Sequence, residues 1–165
     1  MINSKEAYQI CRTIVDDPEI RKYITESKWA YMYCTSVKDI PEVRKYIIDS
    51  FWAYRYCKDI EDRQEVRKHI TYPKYAYLYC LDVENRPEIS QNITDSFWAY
   101  RYCLDVKDDP EIRKYITESI LWSHCYYKDI KNKSEVRKNI IELVNVIDKI
   151  KNDLNKLESL IENLK

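Results

Sequence analysis

Residues 18–27 read PEIRKYITES, and the same ten residues return unchanged at 110–119. The stretch FWAYRYC likewise stands both at 51–57 and at 97–103. Both offsets are multiples of 23, and self-similarity at a fixed period of this size indicates stacked structural repeats. Aligned on this period, five units begin at positions 18, 41, 64, 87 and 110.

Each unit is predicted to form two short helices. An Asp or Asn followed three residues later by Glu precedes the first helix, which is the spacing of a capping box. These pairs are Asp16/Glu19, Asp39/Glu42, Asp62/Glu65, Asn85/Glu88, Asp108/Glu111 and Asn132/Glu135. The second helix is predicted to begin at Ser27, Ser50, Pro73, Ser96 and Ser119. Its apolar residues, from Ala30 to Val37 in the first unit, recur at helical spacings of three and four.

A helical hairpin this short cannot bury its apolar face alone, so neighbouring units must stabilise it. The sequence therefore predicts an all-α fold, a solenoid of about five helical hairpins over residues 1–133. A half-unit over 4–17 precedes the first complete unit. One extra residue near Ile120, at the turn between helices, makes the fifth unit irregular.

From Ser134 the pattern no longer turns back, and residues 134–165 are predicted to form one long helix with a coiled-coil seam. The seam consists of Ile140, Leu143, Ile147, Ile150, Leu154, Leu157, Ile161 and Leu164. We expect this segment to assemble a homo-oligomer; docking onto the repeats and pairing with a foreign helix are the alternatives. Ile and Leu at these positions favour a parallel dimer, but Asp153 would then face Glu158 of the other chain, so the orientation stays open.

The composition excludes several classes of function. Glycine is absent, so the chain contains no glycine-rich phosphate loop and no nucleophile elbow. Lys and Arg together number 28, as do Asp and Glu, so no net charge attracts nucleic acid or a membrane. No apolar run approaches the length of a membrane span, and the N-terminus lacks the pattern of a signal peptide. We expect a cytoplasmic protein that binds no cofactor.

Neither the cysteines nor the histidines form a catalytic or metal-binding pattern. Five cysteines lie 23 residues apart, at Cys11, Cys34, Cys57, Cys80 and Cys103. Equivalent positions in neighbouring units lie roughly 8–10 Å apart, which is too far for a disulfide, so we expect buried, reduced thiols. His69 and His124 each replace a tyrosine of the repeat, and no second ligand pair accompanies them. The sequence predicts no catalytic residue, no metal site and no enzyme.

Two recurring surfaces are candidates for binding a partner. The first is a ridge of paired Arg and Lys, interrupted at Ser90/Gln91, which could follow a phosphate backbone. We favour salt bridges between its arginines and the recurring acids Asp59, Asp82, Asp105 and Asp129. The second is a column of tyrosines that either pack against the next unit or contribute to recognition. The column is Tyr8, Tyr31, Tyr54, Tyr77 and Tyr100. The residues predicted to bind a partner are Tyr54, Arg55, Tyr100, Arg101, Arg44, Lys45, Arg67 and Lys68.

The pattern AYxYC, then Val or Ile, then an acidic helix resembles the short Tyr-rich helical repeat arrays of phage, giant-virus and bacterial proteins of unknown function. The residues that match are Ala30, Tyr31, Tyr33, Val37, Glu42 and Ile47. The resemblance covers residues 4–140 and implies an α-repeat fold and a viral origin, but no activity. Cys replaces the usual small Ala, and no glycine stands in the connecting turn.

Taken together, these features favour a non-enzymatic scaffold for protein–protein interaction, multimerised through its C-terminal helix. A viral origin suggests a host defence complex as the partner, inhibited by steric blocking. Nucleic-acid or nucleotide binding along the Arg/Lys–Tyr ridge is the alternative.

Overall fold

The computed structural model of the protein describes residues 2–131, 146–147 and 149–156. Within these residues all regular secondary structure is helical, as expected for an all-α chain. The longer helices are α1 (Ser4–Thr13), α3 (Ser27–Ser36), α5 (Ser50–Asp59), α7 (Pro73–Asp82), α9 (Ser96–Asp105) and α11 (Ile120–Tyr126). Four-residue helices alternate with them: α2 (Pro18–Arg21), α4 (Pro41–Arg44), α6 (Gln64–Arg67), α8 (Pro87–Ser90) and α10 (Pro110–Arg113). A 3₁₀-helix (Lys114–Glu118) follows α10, and a π-helix (Tyr127–Lys131) follows α11.

The predicted starts of four longer helices are confirmed, because α3, α5, α7 and α9 begin at Ser27, Ser50, Pro73 and Ser96. The fifth, α11, begins one residue after Ser119, which is its N-cap. Each longer helix contacts the next longer helix and the four-residue helix that follows it. Neighbouring units therefore lie side by side along the chain from α1 to α11.

The predicted caps of the short helices are wrong in register. The N-cap of α2 is Asp17 and not Asp16, and the N-cap of α10 is Asp109 and not Asp108. For α4, α6 and α8 the N-caps are Ile40, Arg63 and Arg86, which make no side-chain cap hydrogen bond. A capping box is present at α1 instead, between Asn3 and Glu6. The sixth predicted pair, Asn132/Glu135, lies outside the described residues.

The core repeats with the units. Each of α3, α5, α7 and α9 buries one Ala, two Tyr and one Cys, and the short helices with the turns after them add Val and Ile. The second buried tyrosine of each longer helix is almost completely enclosed: Tyr33, Tyr56, Tyr79 and Tyr102. Because a ring of this size fills the space between one hairpin and the next, burial depends on neighbouring units rather than on any one of them.

Serines at the start of the longer helices join each unit to the next. Ser27 Oγ donates to Tyr46 O at 2.8 Å and accepts from the backbone N–H of Asp49 at 3.0 Å. Ser96 Oγ donates to Tyr115 O at 2.8 Å in the same way. The turns before α5 and α11 are thereby held by a serine of the preceding unit, whereas α7 begins with Pro73 and supplies no such serine to the turn before α9.

The extra residue of the fifth unit is absorbed without loss of the contacts between units. Tyr100 donates to Asp129, 29 residues on, where Tyr77 donates to Asp105 after 28 residues. Ile120 is the most exposed large apolar residue of the described chain, at 92 %. Trp122 and Tyr126 already stand 24 residues after Trp98 and Tyr102, so the extra residue is accommodated before Trp122, at the start of α11.

Only part of the predicted C-terminal helix lies among the described residues. Residues 146–147 and 149–156 are α-helical, and Ile147, Ile150 and Leu154 of the predicted seam are exposed there. The other seam residues lie outside the described part: Ile140, Leu143, Leu157, Ile161 and Leu164. In the part of the chain that the structure describes, every helix is too short or too polar to cross a membrane.

Candidate functional site

A buried ion-pair cluster lies between successive short helices, and in the second unit it centres on Arg44. The guanidinium of Arg44, whose side chain is 7 % exposed, donates to Asp39 at 2.8 Å and to Glu65 of the next unit at 3.0 Å. The hydroxyl of Tyr56 donates to the same Asp39 carboxylate at 2.8 Å. The cluster therefore joins a turn, a short helix, a longer helix and the following unit.

The same arrangement recurs along the chain, with an acid, an arginine five residues later and a tyrosine 17 residues later. The sets are Asp16/Arg21/Tyr33, Asp39/Arg44/Tyr56, Asp62/Arg67/Tyr79 and, after the insertion, Asp108/Arg113/Tyr126. The fourth unit differs, because Asn85 replaces the acid and Ser90 the arginine, while Tyr102 still donates to Asn85 at 2.9 Å. The four aspartates of these sets, which were predicted to be helix N-caps, therefore pair with the arginines of the short helices.

These contacts correct the predicted salt bridges. The arginines of the short helices do not pair with Asp59, Asp82 or Asp105. Those three acids accept instead from Arg55, Lys58 and Arg101 respectively. Of the predicted ridge, Arg44 and Arg67 are buried, whereas Lys45 and Lys68 are exposed.

The cluster fixes the protonation of its members. Burial raises the pKa of the Asp39 carboxyl, but hydrogen bonds from Arg44 and Tyr56 outweigh it, and the pKa lies below its usual value. Burial, and then the bond to the Asp39 carboxylate, raises the pKa of Tyr56 well above its usual value. A neutral hydroxyl facing a charged carboxylate is thereby the stable state over the ordinary pH range.

The tyrosine column connects each unit to the next. Tyr31, Tyr54, Tyr77 and Tyr100 are buried, and each hydroxyl donates to an aspartate of the following unit. The hydroxyl of Tyr8, the first of the column, lies 3.2 Å from Ser36 Oγ. Packing against the next unit therefore accounts for Tyr54 and Tyr100, and their rings are not on the surface.

Two surface patches of the same composition lie on α5 and α9, and we call them the aromatic–arginine patches. One consists of Phe51, Trp52 and Arg55, and the other of Phe97, Trp98 and Arg101. Their ring centroids lie 4.7 and 4.6 Å apart, both with an interplanar angle of 64°. Both arginine side chains are 42 % exposed and pair with the aspartate four residues later. All the aromatic rings of the patches are half-buried.

The phenylalanine position of the patches varies between units, whereas the tryptophan rings pack on the preceding unit: Trp52 lies 5.1 Å from Tyr31, and Trp98 lies 5.4 Å from Tyr77. Lys28 and Lys74 occupy the positions of Phe51 and Phe97 in the alternate units, and Lys28 instead lies over the Trp29 ring at 4.9 Å. The fold therefore does not need a phenylalanine at this position in every unit, although Phe51 and Phe97 contact Tyr75 and Trp122 of the following unit at 5.3 and 4.8 Å. The sequence reasoning selected Arg55 and Arg101 but not the aromatic rings beside them, although FWAYRYC at alternate units was the available signal.

The remaining reactive groups of the described chain show no site. The six cysteines are free, and burial raises the pKa of the Cys34, Cys57 and Cys80 thiols to about 12. A thiol with so high a pKa is a poor nucleophile and a poor metal ligand near neutral pH. Among the described residues, no group of three or more His, Cys, Asp or Glu is placed to hold a metal ion.

No family model, curated protein or solved structure matches the chain. Its function is therefore inferred from its own residues.

Proposed function

We propose that the chain is a non-enzymatic scaffold for protein–protein interaction, built as an α-solenoid of helical hairpins. The observation that carries the proposal is the pair of aromatic–arginine patches on α5 and α9. Trp, Tyr, Phe and Arg are the residues enriched at the centres of protein interfaces. Half-buried rings beside an exposed guanidinium, repeated with the same geometry, supply two such centres on one molecule.

The partner's surface follows from the composition of the patches. Each patch offers apolar ring surface and one guanidinium already held by an aspartate, so it suits an apolar anchor flanked by an acidic or carbonyl oxygen. Two equal patches also favour a partner with two equivalent contacts, because a second contact on the same molecule benefits from a high effective concentration. The resemblance to viral arrays suggests that this partner is a host defence complex, which would be inhibited by steric blocking.

The patches are tested by removing their phenylalanine rings. We expect Phe51→Ala/Phe97→Ala to weaken capture of the chain's protein partner from host extract more than tenfold, because hot-spot aromatics contribute about 2 kcal/mol or more each. Quantitative mass spectrometry of affinity-purified complexes is the measurement. Lys45→Glu/Lys68→Glu, on the short helices, is the matched control and should retain the partner. Equal capture by the patch variant and the wild type would refute the assignment of the surface.

Nucleic-acid binding along the ridge is the alternative, and the positions of its arginines weigh against it. Arg44 and Arg67 are buried and ion-paired, so in these two units only the exposed Lys45 and Lys68 could approach a phosphate backbone. The same Lys45→Glu/Lys68→Glu variant discriminates the two functions. It should abolish a salt-dependent affinity for an oligonucleotide if the alternative holds.

We further propose that the C-terminal helix multimerises the scaffold. Its support is the helical segment at 149–156 with Ile150 and Leu154 exposed at the predicted seam spacing. Truncation after Asn139 is expected to reduce the mass to that of a monomer, while the helical circular-dichroism signal of the repeats persists. Multi-angle light scattering measures the mass. A mass per particle that corresponds to the same number of chains before and after truncation would exclude this role.

A further inference from the structure

The grooves between successive short helices differ in size along the chain. The α2/α4 groove has a volume of about 240 Å³, and Arg21 lines it. The α6/α8 groove, lined by Arg67, measures about 350 Å³. The α8/α10 groove measures about 650 Å³, and at the corresponding position it has Ser90. The largest of these three grooves is thus the one without an arginine of its own.

The charge that lines the grooves changes sign with the same substitution. Three basic residues and one acid line the α2/α4 groove: Arg21, Lys22, Lys45 and Glu42. Two basic residues and one acid line the α6/α8 groove: Arg67, Lys68 and Glu88. Two acids and one basic residue line the α8/α10 groove: Asp109, Glu111 and Lys114. Only the last of the three is suited to a cation.

The second unit shows how this groove position holds a guanidinium. There Arg44 reaches between Asp39, in the turn before α4, and Glu65 of the next unit, and its side chain is only 7 % exposed. In the fourth unit, Ser90 stands at the place of Arg44 and Glu111 at the place of Glu65. The acceptor of the following unit is therefore retained although the protein supplies no arginine to it.

The other substitutions fit an empty cation position. Asn85 replaces the aspartate that would otherwise lack its arginine, so the fourth unit has no unpaired carboxylate of its own at this point. Asp109, the N-cap of α10, stands where α6 and α8 have Arg63 and Arg86. It accepts from the backbone N–H of Glu111 at 3.0 Å, lies 3.5 Å from Lys107 Nζ, and adds a second acid to the groove. Lys114 Nζ lies 3.2 Å from the Glu111 carboxylate, and the Lys114 side chain is 57 % exposed. A guanidinium can therefore replace Lys114 as the partner of this carboxylate.

We propose that the α8/α10 groove binds an arginine side chain of a partner polypeptide. Pro87, Ile112 and Tyr115 line the groove and provide apolar contact for the aliphatic stem. Glu111 and Asp109 accept from the guanidinium, whose fork of donors can reach two carboxylates at once. The groove shares no residue with the aromatic–arginine patches, so this site goes beyond the proposed function and does not depend on it.

The test uses the full chain labelled with ¹⁵N and two blocked tripeptides, acetyl-Gly-Arg-Gly-amide and the same peptide with citrulline. Citrulline has nearly the shape of arginine but no charge. We expect the arginine peptide to shift the amide resonances of Ser90, Glu111 and Tyr115 in a saturable way, and the citrulline peptide to leave them unchanged. Equal responses to both peptides, or arginine-induced shifts confined to other residues, would overturn the proposal.

Variants separate the groove from the rest of the surface. Glu111→Gln, at an exposed position, should weaken the arginine peptide about tenfold, because a charge-assisted hydrogen bond is lost. Asn85→Asp/Ser90→Arg restores the protein's own ion pair, fills the groove and should abolish the response. Phe51→Ala/Phe97→Ala should leave the response unchanged. Retained affinity in the first two variants, or its loss in the third, would contradict binding in this groove.

Discussion

Asp39→Asn is expected to lower the free energy of unfolding by about 3 kcal/mol, because it leaves the buried charge of Arg44 without its principal acceptor. Two hydrogen bonds from Arg44 end on this carboxylate, and the hydroxyl of Tyr56 also donates to it. Glu65, which is half exposed, remains as the single charged partner of the guanidinium. Chemical denaturation followed by circular dichroism measures the change.

The fourth unit provides the matched control for this substitution. Asp39→Asn/Arg44→Ser reproduces the pair Asn85/Ser90, which the protein already accommodates with the tyrosine hydroxyl bonded to the amide. The double variant is therefore expected to be more stable than Asp39→Asn alone, since it removes the unpaired charge together with its partner. A double variant no more stable than Asp39→Asn would contradict this role of the ion pair.

Ile47→Ala is expected to lower the free energy of unfolding by about 3 kcal/mol, whereas Ile48→Ala should change it by less than about 0.5 kcal/mol. The two residues are adjacent and chemically identical, but Ile47 is 1 % exposed and Ile48 60 % exposed. Removing the first opens a cavity against the core, and removing the second takes away only solvated surface. Equilibrium denaturation of both variants gives the comparison, and similar losses for the two would contradict the described burial.

The helix positions were predictable from sequence because the 23-residue period fixes the register of every unit once one is read correctly. Ser27, Ser50 and Ser96 stand at helix starts for this reason. The pairing of Asp39 was not predictable in the same way. Its spacing to Glu42 fits a capping box, and its spacing to Arg44 fits an ion pair; the first spacing recurs in every unit and the second in every unit but the fourth. The structure decides between them because α4 begins at Pro41, one residue too late for Asp39 to be its N-cap.

The candidate surface was predictable only in part. The tyrosine column and the aromatic–arginine patches both lie on the longer helices, and Tyr54 and Arg55 are neighbours in sequence. Whether Tyr54 or Arg55 faces the next unit depends on the rotation of the helix about its own axis. The sequence pattern does not determine this rotation, because aromatic residues stand on both sides of these positions. The substitution of Ser90 was visible as a gap in the ridge. Its consequence, an enlarged groove that retains Glu111, required the position of the following short helix.

The hydroxyl bonds of the tyrosine column all run one way. From α3 onward each tyrosine donates forward, to an acid on the helix that comes later in the chain. Thr13 of α1 stands where α5, α7 and α9 have aspartate. The tyrosine column consequently has a direction, because from α3 onward its hydroxyl donors point toward the C-terminal end of the chain. A unit inserted in the opposite direction would have no aspartate to accept from its column tyrosine and no tyrosine to donate to its own aspartate.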